Sequence, residues 1–252
     1  MTDELFRADS YLQQCNGTVT RVDEQGVVLD RTVFYPLGGG QAGDAGTLEL
    51  PDGRLLHIAD TRKCKDSEGK PTKDIAHVPA PGQQDLLATL APGDSVTARV
   101  DWERRHRLMR FHTATHLLCN LVPQLVNGCS ITADSARLDF NMTDPLDKEA
   151  LTQGIARLVA AAYPVTVSSI TDEELDANPA LVKSMSVQPP RGTGRIRTIR
   201  IGNDDGGGAG EQIDFQPCGG THVANTSEIG AVVVTKIEKK SATTRRVVLG
   251  FA

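Results

Sequence analysis

The chain is poor in the features that place a protein quickly. It has 252 residues and only five cysteines, an odd number at irregular spacings, which excludes a disulfide framework and fits a reducing cytosol. No run approaches the roughly 18–20 apolar residues of a membrane-spanning helix, so a membrane partner is not expected. The start, Met1-Thr2-Asp3-Glu4, is acidic and has no apolar signal core, which argues against secretion and for the cytoplasm. Net charge is −5, the wrong sign for a protein that coats nucleic acid without selectivity. Several catalytic signatures are missing as well. The glycine-rich stretch Gly38-Gly39-Gly40-Gln41 is followed by neither Lys-Ser/Thr nor a helix pattern, so it is no P-loop and no dinucleotide fingerprint. Thr113 stands where an H-E-x-x-H peptidase needs its glutamate, and Thr221 stands where a deaminase needs the second cysteine of P-C-x-x-C.

What remains is concentrated in two short segments of a chain with six histidines. His112-Thr113-Ala114-Thr115-His116 lies in a helical pattern, so its four-residue spacing stacks both rings on one face. Cys218-Gly219-Gly220-Thr221-His222 contains a Gly-Gly pair, which predicts a tight loop instead. Together they supply one thiol and three imidazoles, a donor set that suits zinc. Cys15, Cys64, Cys119 and Cys129 have no partner spacing and read as ordinary small residues; His57 and His77 read as structural. Arginines gather at Arg104, Arg105, Arg107 and Arg110, again at Arg191, Arg195, Arg197 and Arg200, and basic residues recur from Lys236 to Arg246. Such clusters suit phosphate tracking or a solvated face.

The organisation predicted is α+β in two parts. Residues 1–100 carry short alternating runs (Thr18–Val22, Val27–Val33, Thr47–Leu50, Leu55–Ala59, Val96–Val100) punctuated by Gly and Pro, which suits a small barrel or sandwich. Residues 101–252 open with Asp101 as N-cap and an apolar stripe at Leu108, Phe111, Thr115, Leu118, Val122 and Leu125, ending near Pro123. A second helix is expected from Asp144-Pro145 to Pro164, and a short one after the capping box Thr171–Glu174. Strands are expected at Arg137–Phe140, Val165–Ile170, Arg195–Ile201, Ala231–Ile237 and Arg246–Phe251, giving helices on one face of a mainly antiparallel sheet. Asn203–Gly210 reads as a flexible insertion.

Three segments in order resemble a known family: Phe34-Tyr35-Pro36 through Gly39-Gly40-Gln41 to Asp44-Ala45-Gly46, Val100–Leu118 around the first histidine pair, and Cys218–Val223 with Glu228-Ile229-Gly230. They look like the alanyl-tRNA editing domain, in the freestanding, medium-length AlaX form that keeps a glycine-rich N-terminal domain. The resemblance covers nearly the whole chain. It implies a small N-terminal β-barrel followed by an editing domain shared with threonyl-tRNA synthetases. It also implies a zinc-dependent hydrolase that removes serine, with glycine as a second candidate, from the acceptor end of tRNA(Ala). The family's ligands fall on His112, His116, Cys218 and His222, with one Zn(2+) per chain.

His112, His116, Thr113 and Thr132 are the candidate catalytic residues, and Gly38, Gly39, Gly40, Gln41, Ser130, Thr221, Arg104 and Arg110 the candidate substrate contacts. A pocket built for alanine cannot strongly exclude serine, whereas a second site that hydrogen-bonds the serine hydroxyl can reject alanine by up to roughly four orders of magnitude. Two alternatives stay open: a non-catalytic tRNA-binding module with a structural zinc, and a deacylase for another aminoacyl-tRNA.

Overall fold

The computed structural model describes residues 1–192, 194–203 and 210–252, so the insertion expected at 203–210 lies outside the described residues except for its two ends. The chain divides into two compact units, Met1–Gly38 with Ala42–His106, and Gly39–Gln41 with Arg107–Ala252.

The first unit holds β1 (Asp3–Glu4), β2 (Gln14–Asp23), β3 (Gly26–Leu29), β4 (Arg31–Thr32), β5 (Gly46–Glu49), β6 (Leu55–Lys65), β7 (Pro71–Pro79), the short α1 (Gln84–Leu87) and β8 (Ser95–Val100). Six of these strands hydrogen-bond in a closed ring, in the order β2-β3-β7-β6-β5-β8, every pair antiparallel. Alternation decides the inside: Leu56 and Ile58 are buried while Leu55 and His57 are exposed. The buried set, with Val19, Leu29, Phe34, Leu48 and Ala98, forms one apolar cluster. The strand β7 is absent from the sequence reading, because Pro71, Lys73 and Asp74 break its alternation. His77 is structural, as expected. It is buried between Thr32 Oγ1 (2.7 Å) and the Val27 carbonyl (2.9 Å), and burial holds it neutral with a pKa pushed down to about 4.

Helix α2 runs over Trp102–Leu121. Asp101 caps it as predicted, its carboxylate accepting the Arg104 N–H at 3.1 Å, and the helix stops short of Pro123. The predicted stripe understates its burial: from Phe111 to Cys119 every residue is buried. Thr113 and Thr115 tolerate this because their hydroxyls donate to the Met109 and His112 carbonyls, at 2.9 and 2.7 Å. Leu125, placed on the stripe by periodicity, lies beyond the helix and is exposed.

The second unit continues with β9 (Val126–Ile131), β10 (Ala136–Asn141), α3 (Lys148–Ala160), β11 (Val165–Ile170), α4 (Asp172–Ala177), β12 (Ile196–Gly202), β13 (Gln212–Pro217), β14 (Val232–Ser241) and β15 (Thr244–Phe251). Asp147 caps α3, not Asp144: its side chain accepts the Glu149 and Ala150 N–H groups. The Thr171–Glu174 capping box forms as expected. Two antiparallel sheets result, β14-β15-β10-β9 and β11-β12-β13. One face of the larger sheet is apolar (Ala136, Leu138, Val234, Val247, Leu249), and the helices pack there. Phe111 of α2 meets Phe251 with ring centroids 4.1 Å apart, while Thr152 of α3 accepts the Val234 N–H at 3.1 Å. The strands β9 and β13 escape the sequence reading because Asn-Gly-Cys-Ser and Gln-Ile-Asp-Phe-Gln carry little β-branched patterning.

Candidate metal centre

His112 and His116 sit one turn apart on α2, and the Cys218–His222 loop follows β13. The loop brings its donors onto the helix: the ligand atoms of His112, His116, Cys218 and His222 all lie within 4.8 Å of one another. Cys218 Sγ is 3.5 Å from His112 Nε2 and 3.3 Å from His222 Nε2. Ligands at tetrahedral zinc bond lengths stand about 3.4–3.6 Å apart, so these separations suit such an ion. Gly220 is required by space. A Cβ there would lie 2.1 Å from His112 Cε1, so only glycine lets the loop cross the ring.

The decisive detail is behind the rings. His112 Nδ1 donates to Gln41 Oε1 (2.7 Å), His116 Nδ1 to Asp214 Oδ2 (2.7 Å), and His222 Nδ1 to Thr113 Oγ1 (3.2 Å). Each outer nitrogen thus holds its proton against an acceptor, and each Nε2 lone pair is left for the centre, the arrangement that orients imidazoles toward a metal. The acceptors are held in turn. Asp214 is ion-paired with Lys183, and Thr113 Oγ1 also takes the Val223 N–H.

The charges balance around this cluster. Burial pushes the His116 ring down, but its bond to Asp214 and the nearby Cys218 thiol more than offset that, and its pKa rises to about 9. Burial opposes ionisation of Cys218, yet the neighbouring His112 and His222 hold its pKa well below the usual thiol value. Burial, reinforced by His112, holds His222 neutral, well below the ordinary histidine range. A thiolate at Cys218 and a neutral ring at His222 are protonation states that a soft, nitrogen-liking cation takes up, and binding one would displace the extra proton from His116. The residues present fit such an ion.

Other sequence candidates are placed differently. Thr132 stands in the exposed turn after β9, its hydroxyl tied to Ser135 and Asp134 within that turn. Ser130 faces Arg137 across the ladder and alternates away from the face that carries Cys129 and Ile131. Thr113 and Thr221 are buried with hydroxyls already engaged, so neither offers a ready catalytic or substrate contact. Gln41 is fully buried, with its amide bonded to His112 and Thr221 behind the donors. Gly39 and Gly40 have φ of 59° and 87°, and a Cβ on Gly40 would meet Cys129 Sγ at 2.8 Å. Gly38 and Arg104 belong to the first unit, where the Gly38 carbonyl accepts from Tyr35 and Arg104 donates to the Gly43 carbonyl.

The first arginine cluster makes contacts within the protein. Arg105 is buried against Asp44, and Arg107 donates to the Ala133 carbonyl. Arg110 donates to the Ile229 carbonyl and lies over the Phe251 ring at 4.1 Å. Four residues at the centre were missed in sequence. Asp214, Gln216 and Lys183 have no motif spacing, and Cys129 reads as an ordinary cysteine. Burial pushes its thiol up to about 12, with Cys218 adding to the shift.

Comparison with known proteins gives the family. A family model described as Threonyl and Alanyl tRNA synthetase second additional domain matches residues 196–248, and one for class II (A) tRNA synthetases matches residues 7–104. The alanyl-tRNA editing protein AlaX-M of Methanosarcina barkeri is 34% identical, covering 98% of this chain and 97% of that protein. The chain belongs to the AlaX-type alanyl-tRNA editing proteins. The AlaX-M of Saccharolobus solfataricus is 32% identical with 98% of both chains covered. The alanine–tRNA ligase of Metallosphaera sedula is 32% identical over 94% of this chain but only 25% of its own length. This AlaX-type chain therefore aligns end to end with freestanding relatives and with one part of the ligase.

Proposed function

We propose that this AlaX-type chain is a cytoplasmic, zinc-dependent hydrolase that cleaves the aminoacyl ester of seryl-tRNA(Ala), with glycyl-tRNA(Ala) as a second substrate. The observation that carries the reading is the convergence of three Nε2 atoms and one thiol, each imidazole with its outer nitrogen satisfied. His112, His116, Cys218 and His222 would hold the ion. A zinc ion there supplies a Lewis-acid charge beside an ester carbonyl.

The protein's own contribution is orientation. Asp214, Thr113 and Gln41 hold the imidazoles still, and the Gly-Gly crossing keeps the loop close. Gln216 is half-buried with its amide nitrogen 2.8 Å from Asp214 Oδ2 and 3.2 Å from His116 Nδ1, and it is the amide oxygen of this side chain that we assign to the serine hydroxyl. A polar group used this way rejects alanine, because it would be left unpaired. We read residues 1–100, with their closed ring of strands, as the small N-terminal barrel domain and residues 101–252 as the editing domain.

The test is a panel of mischarged tRNAs. Serine is expected to be released from tRNA(Ala) while alanine stays attached, and His116→Ala and Cys218→Ala lose both zinc and turnover. Full activity in either variant overturns the metal assignment. A closed set of four protein donors is also the pattern of a structural ion, which favours a second reading as a tRNA-binding module. Retained tRNA affinity with no turnover on any charged tRNA selects that reading. Turnover on a different aminoacyl-tRNA changes the pocket and keeps the chemistry.

A further inference from the structure

Gln41 is fully buried, yet both ends of its amide are used. Its Oε1 accepts the His112 Nδ1–H at 2.7 Å and the Thr221 N–H at 3.1 Å, while its Nε2 donates to Thr221 Oγ1 at 2.8 Å. Only one orientation of the amide satisfies all three, since the reverse would set its NH2 against a backbone N–H. With an acceptor fixed at Nδ1, His112 is held as the Nδ1–H tautomer and its Nε2 faces Cys218 Sγ. The same amide grips the loop between Cys218 and His222 through the backbone and hydroxyl of Thr221. The placement of Gln41 is itself fixed: Gly40 takes a left-handed φ of 87° and its carbonyl accepts the Ile131 N–H at 2.7 Å.

We propose that Gln41 is a positioning residue of the metal centre: one buried amide sets the tautomer of His112 and clamps the Cys218–His222 loop onto α2. It acts through His112 and Thr221, not on substrate. The inference rests on the reading of the four donors as a metal site, and metal uptake tests the two separately.

Zinc affinity is measured by competition with a chromophoric chelator on the whole chain, with no tRNA present. Gln41→Met keeps length and volume but removes every hydrogen bond. Gln41→Glu keeps the acceptor, and the Thr221 hydroxyl can turn to donate to it. The expected result is a roughly 10–100-fold weaker affinity for Gln41→Met, with Gln41→Glu staying close to wild type. Long-range 1H–15N spectra of the loaded wild-type protein are expected to show the His112 proton on Nδ1. A Gln41→Met affinity within twofold of wild type overturns the proposal, and so does an equal loss in both variants, which would make the role one of packing. Should Gln41→Met not fold, a His112 proton found on Nε2 in the wild type overturns it independently. A wild type that takes up no zinc refutes the metal reading itself.

Discussion

Asp214 shows how much of this centre depends on single side chains away from the motifs. It is buried, bonded to His116 and paired with Lys183, and those two partners hold its carboxyl low although burial opposes them. Asp214→Asn is expected to weaken zinc binding roughly 10–100-fold while leaving the far-UV circular dichroism unchanged; unaltered affinity in the chelator competition would remove it from the site. Asp139 makes a second residue-scale case, on the outer face of the larger sheet. Its bond to Arg246 outweighs a modest burial penalty and, with Arg137, holds its carboxyl below the ordinary value. Because the folded pKa is depressed, the stabilisation is present above the unfolded value near 3.9 and is lost as pH falls through the folded one. Asp139→Asn should therefore cost no more than about 1 kcal/mol at pH 7 and less at pH 2, read by urea unfolding at both. Equal losses at both would refute the ionic origin.

At the scale of elements, two placements carry the most weight. The first turn of α2 is tied down by Arg105, which is fully buried, donates to the Asp44 carboxylate and also reaches the Val33 and Ser10 carbonyls. Removing the carboxylate leaves a buried guanidinium without its charge partner, so Asp44→Ala should destabilise by about 3–5 kcal/mol in denaturant unfolding. The Cys218–His222 loop depends on Gly220, where an added methyl would occupy the position of the His112 ring. Gly220→Ala is expected to abolish tight zinc binding with the fold retained, and unchanged uptake would show that the loop can shift. The two histidines on α2 were legible because a four-residue step on a helix needs no tertiary knowledge. Asp214 was not legible at all, and Gln41 and Thr113 were legible as candidates but not as acceptors, since each meets its histidine only through long-range folding.

For the whole molecule, the metal would join α2 to a loop more than a hundred residues later, the His112–Cys218 separation being 106 positions. A ligand that binds only the folded chain stabilises it by mass action, by about 4 kcal/mol at a thousand times its dissociation constant. Adding a strong chelator is therefore expected to lower the melting temperature of the wild type and to leave that of His116→Ala unmoved. A chelator effect of equal size on both would place the ion elsewhere.

The sequence by itself determined the donor set, the helical spacing of one half and the loop nature of the other, together with most strands whose alternation is regular. These follow from local periodicity and from glycine's conformational freedom. Tertiary structure alone decided which side chains serve the donors and which only resemble candidates. Thr132 and Ser130 match a serine contact by residue type, but turn geometry and strand alternation direct them elsewhere. Arg105 and Arg110 match a phosphate cluster by charge, but their guanidinium groups are used inside the protein. Composition states what a residue can do, and burial with its partners states what it is left to do.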